Sequence, residues 1–250
     1  MTTSRKSGTD ATTPAPARTR KATATRDPAR TRARILKVAI AEFSAKGYSG
    51  ARTEQIARRA KTNIRMIYHY FGSKDALYVS VLEDVLAQLR HEELQLDFDA
   101  LAPLEGLLRM FEFIDGHFEA HPELRNLLAF ENLNGAQHLK RSTAIREMAS
   151  PVIALVERLL KRGAKEGSLR AGIDALHLYV AMVSLAYYGR SHAPTLSRIF
   201  ATDLLASGWQ AAHRAQTRRM LTGFLTAPPE SVAPRRAPPS VARAHAKVAA

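Results

Sequence analysis

Residues 53–78, TEQIARRAKTNIRMIYHYFGSKDALY, decide the fold. Thr53 opens a short stretch, about 53–60, in which Ile56, Ala57 and Ala60 recur at helical spacing. Asn63 caps a second stretch, about 63–70, anchored by Ile64 and Ile67. Ser73 caps a third that continues towards residue 96. Two short helices joined by a tight turn, followed by a freshly capped helix, are the parts of a helix-turn-helix, which lays its second helix in the major groove of DNA. Such a pair needs a small residue where the helices cross, and Ala57 or Ala60 supplies it.

The second helix exposes a polar face made of Thr62, Asn63, Arg65, Met66 and His69. Arg65 has the fork needed for bidentate contact with guanine; Asn63 could pair with adenine or only cap the helix. The Tyr68 hydroxyl suits a phosphate. So does the start of the next helix at Ser73-Lys74, with free backbone N–H groups and an ammonium. Lys61 in the turn adds charge beside the DNA, but a left-handed backbone there would cost a lysine on the order of 1 kcal/mol. With Thr53, these make the expected DNA-binding set Thr53, Lys61, Thr62, Asn63, Arg65, Met66, Tyr68, His69 and Lys74. Competing structural roles are a core or domain-joining position for Tyr48, Tyr70 and Phe71, a solvated helix face for Arg58 and Arg59, and an inward Met66.

Charge is distributed as that reading requires. The 250-residue chain carries +14, with +8 on residues 28–75, +4 on 1–27, +3 on 226–250 and −1 on 76–225. A basic module joined to a neutral one is the footprint of a nucleic-acid binder. The segments 1–27 and 226–250 are rich in Arg, Ala and Pro and poor in large apolar side chains, and are expected to be disordered basic tails. They hold seven of the twelve prolines. The remaining five mostly mark helix starts: Asp27-Pro28, His121-Pro122 and Ser150-Pro151 read as a cap followed by Pro in the first turn. A first helix over about 28–46 carries Ile35, Leu36, Ala39, Ile40 and Phe43 and ends at Gly47. Further helices are predicted near 103–119, 122–133, 145–167, 174–191 and 202–225. No strand pattern or internal repeat is evident, so the fold class is all-α: a three-helix DNA-binding domain (28–75) joined to a larger helical bundle (76–225).

These residues resemble the TetR family of bacterial transcriptional regulators. The resemblance rests on Thr53, Ile56, Ala57, Ala60, Tyr68, His69, Tyr70, Phe71, Ser73, Lys74 and Leu77, and on Ile35, Ala39, Phe43, Gly47 and Tyr48 in the first helix. It departs at Lys61, where glycine is common. The resemblance implies a homodimeric, ligand-responsive regulator, by family prior a repressor, acting on a palindromic operator in the bacterial cytoplasm and nucleoid-associated when bound to DNA. It also implies that residues 76–225 sense a small-molecule effector and dimerise through their last two long helices. The stretches FENLNGAQHLKRS (130–142) and TLSRIFATDLL (195–205) look like ones in a branch of the family, and neither identifies an effector. On the last helix Leu205, Trp209, Ala212, Gln216, Met220 and Phe224 share a stripe that fits a dimer seam and an intramolecular core equally well.

For an effector pocket the sequence offers aromatic and isolated polar residues on otherwise apolar helices: Phe111, Phe118, Glu131, Asn132, Asn134, His138, Tyr179, Tyr187 and Tyr188. Gly135 separates Glu131 from His138, so the spacing does not place those two on one face. No cofactor is expected, no membrane span, and no enzyme: there is no cysteine, HExxH, GxSxG or Gly-rich phosphate loop. His117 and His121 stand four apart, a metal-binding spacing, but Pro122 ends or restarts the helix there, and no metal site is assigned. The alternative function is a sequence-tolerant, nucleoid-type architectural DNA-binding protein, motivated by the basic tails.

Overall fold

In the computed structural model, which describes residues 1–2 and 27–228, the chain is built of ten α-helices and two short 3-10 turns, with no strand among the described residues. The disorder expected of residues 3–26 and 229–250 lies outside them. Helix α1 (Pro28–Gly50) starts where Asp27 accepts from the Ala29 and Arg30 N–H groups, with Pro28 in its first turn. Its regular part closes at Gly47, whose φ of 67° and ψ of 178° break the helix before its last residues. Helices α2 (Thr53–Arg59) and α3 (Ile64–Phe71) follow, then α4 (Lys74–Gln95), α5 (Pro103–Ala120), α6 (Pro122–Leu133) and α7 (Thr143–Glu166). The last helices of the described residues are α8 (Ala175–Ser191), α9 (Ala193–Ile199) and α10 (Ser207–Thr226).

Two sequence expectations are corrected. Ser150-Pro151 does not start a helix. Pro151 lies inside α7, which begins at Thr143 after the Ser142 cap. The missing Pro151 N–H leaves one carbonyl short, but Val152, Leu155, Val156 and Leu159 are all buried just beyond it, and that packing holds the helix through. The last long helix starts at Ser207 rather than near 202, because residues 193–199 form a helix of their own led by Pro194.

The core is continuous from the N-terminal helices into the bundle. In the first, Ile35, Ala39, Phe43, Ile56, Ala60 and Ile67 have no exposed surface. In the second, Leu107, Phe111, Ile114, Leu127, Leu159 and Met182 fill the centre. Helix α4 belongs to both: it contacts α1 and α3 and also α5 and α7, with Leu77, Tyr78, Val81 and Leu89 buried. Tyr78 meets Phe43 edge-on at 4.8 Å. A buried ion network ties α5, α8 and α10. Asp115, 3% exposed, accepts from Arg190 Nε and Nη2 at 3.2 Å each and from Arg214 Nε at 2.5 Å. No helix of the described residues is long and apolar enough to cross a membrane.

Candidate nucleic-acid interface

Helix α2 is pinned to α1 by charge. Glu42, 1% exposed, bonds Lys46 at 2.7 Å and Arg59 at 3.1 Å. Burial alone would raise its carboxyl; the two cations outweigh burial and hold it below the ordinary carboxylate range. Arg34 Nε donates to the Ala60 carbonyl at 2.7 Å, and Arg32 lies over the Phe71 ring at 4.8 Å. Arg58 donates to Gln55. Both Arg58 and Arg59 therefore have partners within the protein.

Helix α3 carries the reading face. Ile67 is buried beneath it, while Arg65, Tyr68 and His69 are exposed. Met66 is half-buried. The Asn63 Oδ1 accepts from the Met66 N–H at 3.0 Å, so this oxygen caps the helix. Lys61 is exposed, with Thr62 half-buried beside it. At the other end, Ser73 Oγ accepts from the Ala76 N–H at 3.0 Å, which leaves the first amides of α4 open. Lys74 is half-buried with its ammonium 4.7 Å over the Tyr48 ring; burial, then Arg52, lowers its pKa. Eight of the nine expected residues thus line α3 and its two flanks. Thr53 is the exception: it is 6% exposed, and Arg52 rather than Thr53 holds the capping position of α2, with no side-chain cap bond.

Lys61 has φ of 50°, the left-handed conformation at which a lysine pays a steric cost. Lys61→Gly is expected to raise unfolding free energy by on the order of 1 kcal/mol. If the ammonium meets a phosphate, the same variant also flattens the salt dependence of DNA binding by about one unit of slope. Denaturant titration and binding at several salt concentrations separate the two effects.

The expected effector residues are not gathered into one site. Phe118 meets Tyr187 edge-on at 5.3 Å between α5 and α8, and Phe111 is buried on α5. Tyr179 donates to Glu93 at 3.1 Å and accepts from Arg90. Asn132 and Asn134 are exposed at the end of α6, and Asn134 donates to the Phe130 carbonyl. Glu131 and His138 are in contact. A turn through Gly135 (φ 63°) and Ala136 (φ 55°) folds the chain back, and His138 Nδ1 lies 2.8 Å from Glu131 Oε1.

That pair belongs to a junction the sequence did not reveal. His138 lies tilted against Tyr48 at 4.4 Å and meets Tyr78 edge-on at 4.8 Å. Tyr48 donates to Asp75, which also accepts from Arg141 at 2.8 Å. One turn away, the Phe130 ring lies where a Cβ on Gly47 would stand, 2.9 Å from its Cδ1. Side chains of α6 and the turn after it therefore grip the end of α1 and the start of α4. The family motif contains Gly47 and Tyr48, but its partners lie some 80–90 residues away and leave no local signal.

An exposed, capped, basic second helix set on a three-helix frame and joined to a neutral helical bundle defines a helix-turn-helix regulator of the one-bundle-per-reader type. Residues 35–81 match the family model described as bacterial regulatory proteins, tetR family, and residues 103–221 match that of the tetracyclin repressor-like C-terminal domain. The chain is 38% identical over 175 residues to the HTH-type transcriptional repressor NicS of Pseudomonas putida, covering 70% of this chain and 82% of that protein. It is 37% identical over 164 residues to the HTH-type transcriptional repressor SCO4008 of Streptomyces coelicolor, covering 65% and 81%. The solved structure of SCO4942 from Streptomyces coelicolor superposes with a TM-score of 0.60 at 25% identity, over 76% of this chain and 97% of that one. FadR of Bacillus halodurans, described as a fatty acid degradation regulator, shares the fold at 17% identity with a TM-score of 0.57, over 77% and 95%. The chain belongs to the TetR family of DNA-binding transcriptional regulators. The architectural reading is not favoured.

Proposed function

We propose that this regulator is a cytoplasmic, ligand-responsive repressor that binds a palindromic operator as a homodimer and catalyses no reaction. The observation that carries the reading is the reading face itself: Arg65, Tyr68 and His69 exposed on α3, flanked by Lys61 and by the capped start of α4. Arg65 reads a base edge, while Lys61, Tyr68 and the first amides of α4 hold phosphates. Two features support the dimer. Met220 and Phe224, from the stripe on α10, are 53% and 43% exposed, and Leu205, which falls two residues before that helix, is 53% exposed, which argues against an intramolecular core. Leu176, Val180 and Tyr188 on α8 are exposed as well, and a second subunit would cover such an apolar surface.

The effector acts from the helical bundle. It favours one of two arrangements of the readers by binding them unequally, since equal binding would shift nothing. The grip of α6 on α1 and α4 is the physical link through which a change in the bundle reaches the reader.

The test is selection of bound fragments from a sheared genomic library at low and at physiological salt, followed by sedimentation of the complex. The expected result is a shared two-fold symmetric site, with half-sites about one DNA turn apart (34–36 Å) or a multiple of it, bound by an even number of protomers. Bound DNA with no common site would overturn the reading.

A further inference from the structure

The end of α4 and the last turn of α5 bring together three metal-ligating side chains that the DNA reading does not use. Glu92, His117 and His121 each offer one donor atom, and the three atoms lie within 4.8 Å of one another. Glu92 Oε2 is already 3.1 Å from His117 Nδ1. The two imidazoles stack with centroids 4.2 Å apart and planes at 27°. The stacking survives the end of the helix: α5 stops at Ala120, but His121 is its C-cap and its N–H still bonds the His117 carbonyl at 2.9 Å. The spacing of four is thus preserved despite Pro122.

We infer that Glu92, His117 and His121 form a binding site for a first-row divalent transition-metal ion of the zinc type. Two imidazoles and one carboxylate are the donor set of zinc sites that keep a fourth position open, whereas calcium and magnesium take oxygen. Zinc–ligand bonds of about 2.0–2.2 Å place tetrahedral donors roughly 3.3 Å apart. The Glu92–His117 separation meets that already, and side-chain rotation closes the remainder. Support around the ligands is in place. Glu123 Oε1 stands 2.9 Å from His121 Nδ1, and Gln88 Nε2 donates to Glu92 Oε1 at 3.0 Å. Such outer partners fix the orientation of metal ligands. The site opens on a groove of about 600 Å³ whose wall includes Phe113, Glu112 and Arg109, leaving room for a water or an exogenous ligand on the metal. His117 is 3% exposed at its side chain and His121 24%, so the ion would be reached from one side only.

The site lies in the bundle and does not depend on the DNA reading, so it is tested without DNA. Metal-free full-length protein is titrated with zinc by calorimetry and with cobalt by visible absorption, with magnesium as the control. The variants are Glu92→Gln, which keeps a polar partner for His117, and His121→Asn; circular dichroism checks that both fold. The expected result is uptake of one ion per protomer, tetrahedral cobalt bands, a higher melting temperature with zinc, and at least about a tenfold loss of affinity in each variant. No uptake by the wild-type chain, or uptake that both variants leave unchanged, overturns the site.

Discussion

Asp115→Ala is expected to lower unfolding free energy by about 3–5 kcal/mol. The reason is what it leaves behind. Arg190 is 7% exposed, and two of its three carboxylate bonds go to Asp115. The third goes to Glu119, whose side chain is 54% exposed. Without Asp115 the guanidinium stays buried with one solvent-weakened partner. Arg214 loses its 2.5 Å bond in the same step, so the exposed Glu119 is left as the carboxylate that bonds both arginines and ties α5 to α8 and α10. Helices α8 and α10 carry the exposed apolar surface assigned to the dimer, so the variant should dissociate at higher protein concentration than the wild type. Urea titration gives the first quantity and sedimentation the second. A loss under about 1 kcal/mol would show that Glu119 alone compensates Arg190.

Arg65→Ala is expected to weaken operator binding by about 30-fold to 10⁴-fold. A bidentate arginine–guanine contact is worth about 1–3 kcal/mol per half-site, and a dimer makes it twice. The side chain is exposed and no bond holds it within the described residues, so stability should stay within about 0.5 kcal/mol of wild type. Specificity should relax at one base pair in each half-site. Lys61→Ala provides the contrast: a nearly uniform loss over all sequences and a shallower salt slope. Fluorescence anisotropy on operator and single-base variants distinguishes them. Unchanged operator affinity for Arg65→Ala would place base reading elsewhere on α3.

The reader was legible in the sequence because its determinants are local. Caps at Asn63 and Ser73, small residues at Ala57 and Ala60, and anchors at Ile56 and Ile67 act within a few residues of one another, and each has the role its chemistry predicts. The turn at Lys61 was left conditional by the sequence, and the structure gives it the left-handed backbone. The burial of Thr53 was not legible, because the exposure of an N-terminal helix residue depends on what packs over it. The effector set failed to converge for a related reason. An aromatic on an apolar helix reads alike whether it lines a space or fills one, and Phe111 and Phe118 are 1% and 2% exposed. Long-range pairings such as Phe130 with Gly47, or Glu92 with His117, have no signature at either partner. Only the His117–His121 spacing hinted at one of them, and the proline after it argued the other way.

Helix α4 begins beside the reading face at Lys74 and ends beyond Glu92, and its 22 residues make a rod about 33 Å long. A rod of that length works as a lever. A tilt of about 6° about its far end carries the near end roughly 3.4 Å, which is one base step along a DNA strand. Base-edge hydrogen bonds do not tolerate a displacement of that size. In the proposed dimer, a few degrees at one end of such a stiff helix is enough to put both readers out of register with the groove, with no refolding of the bundle.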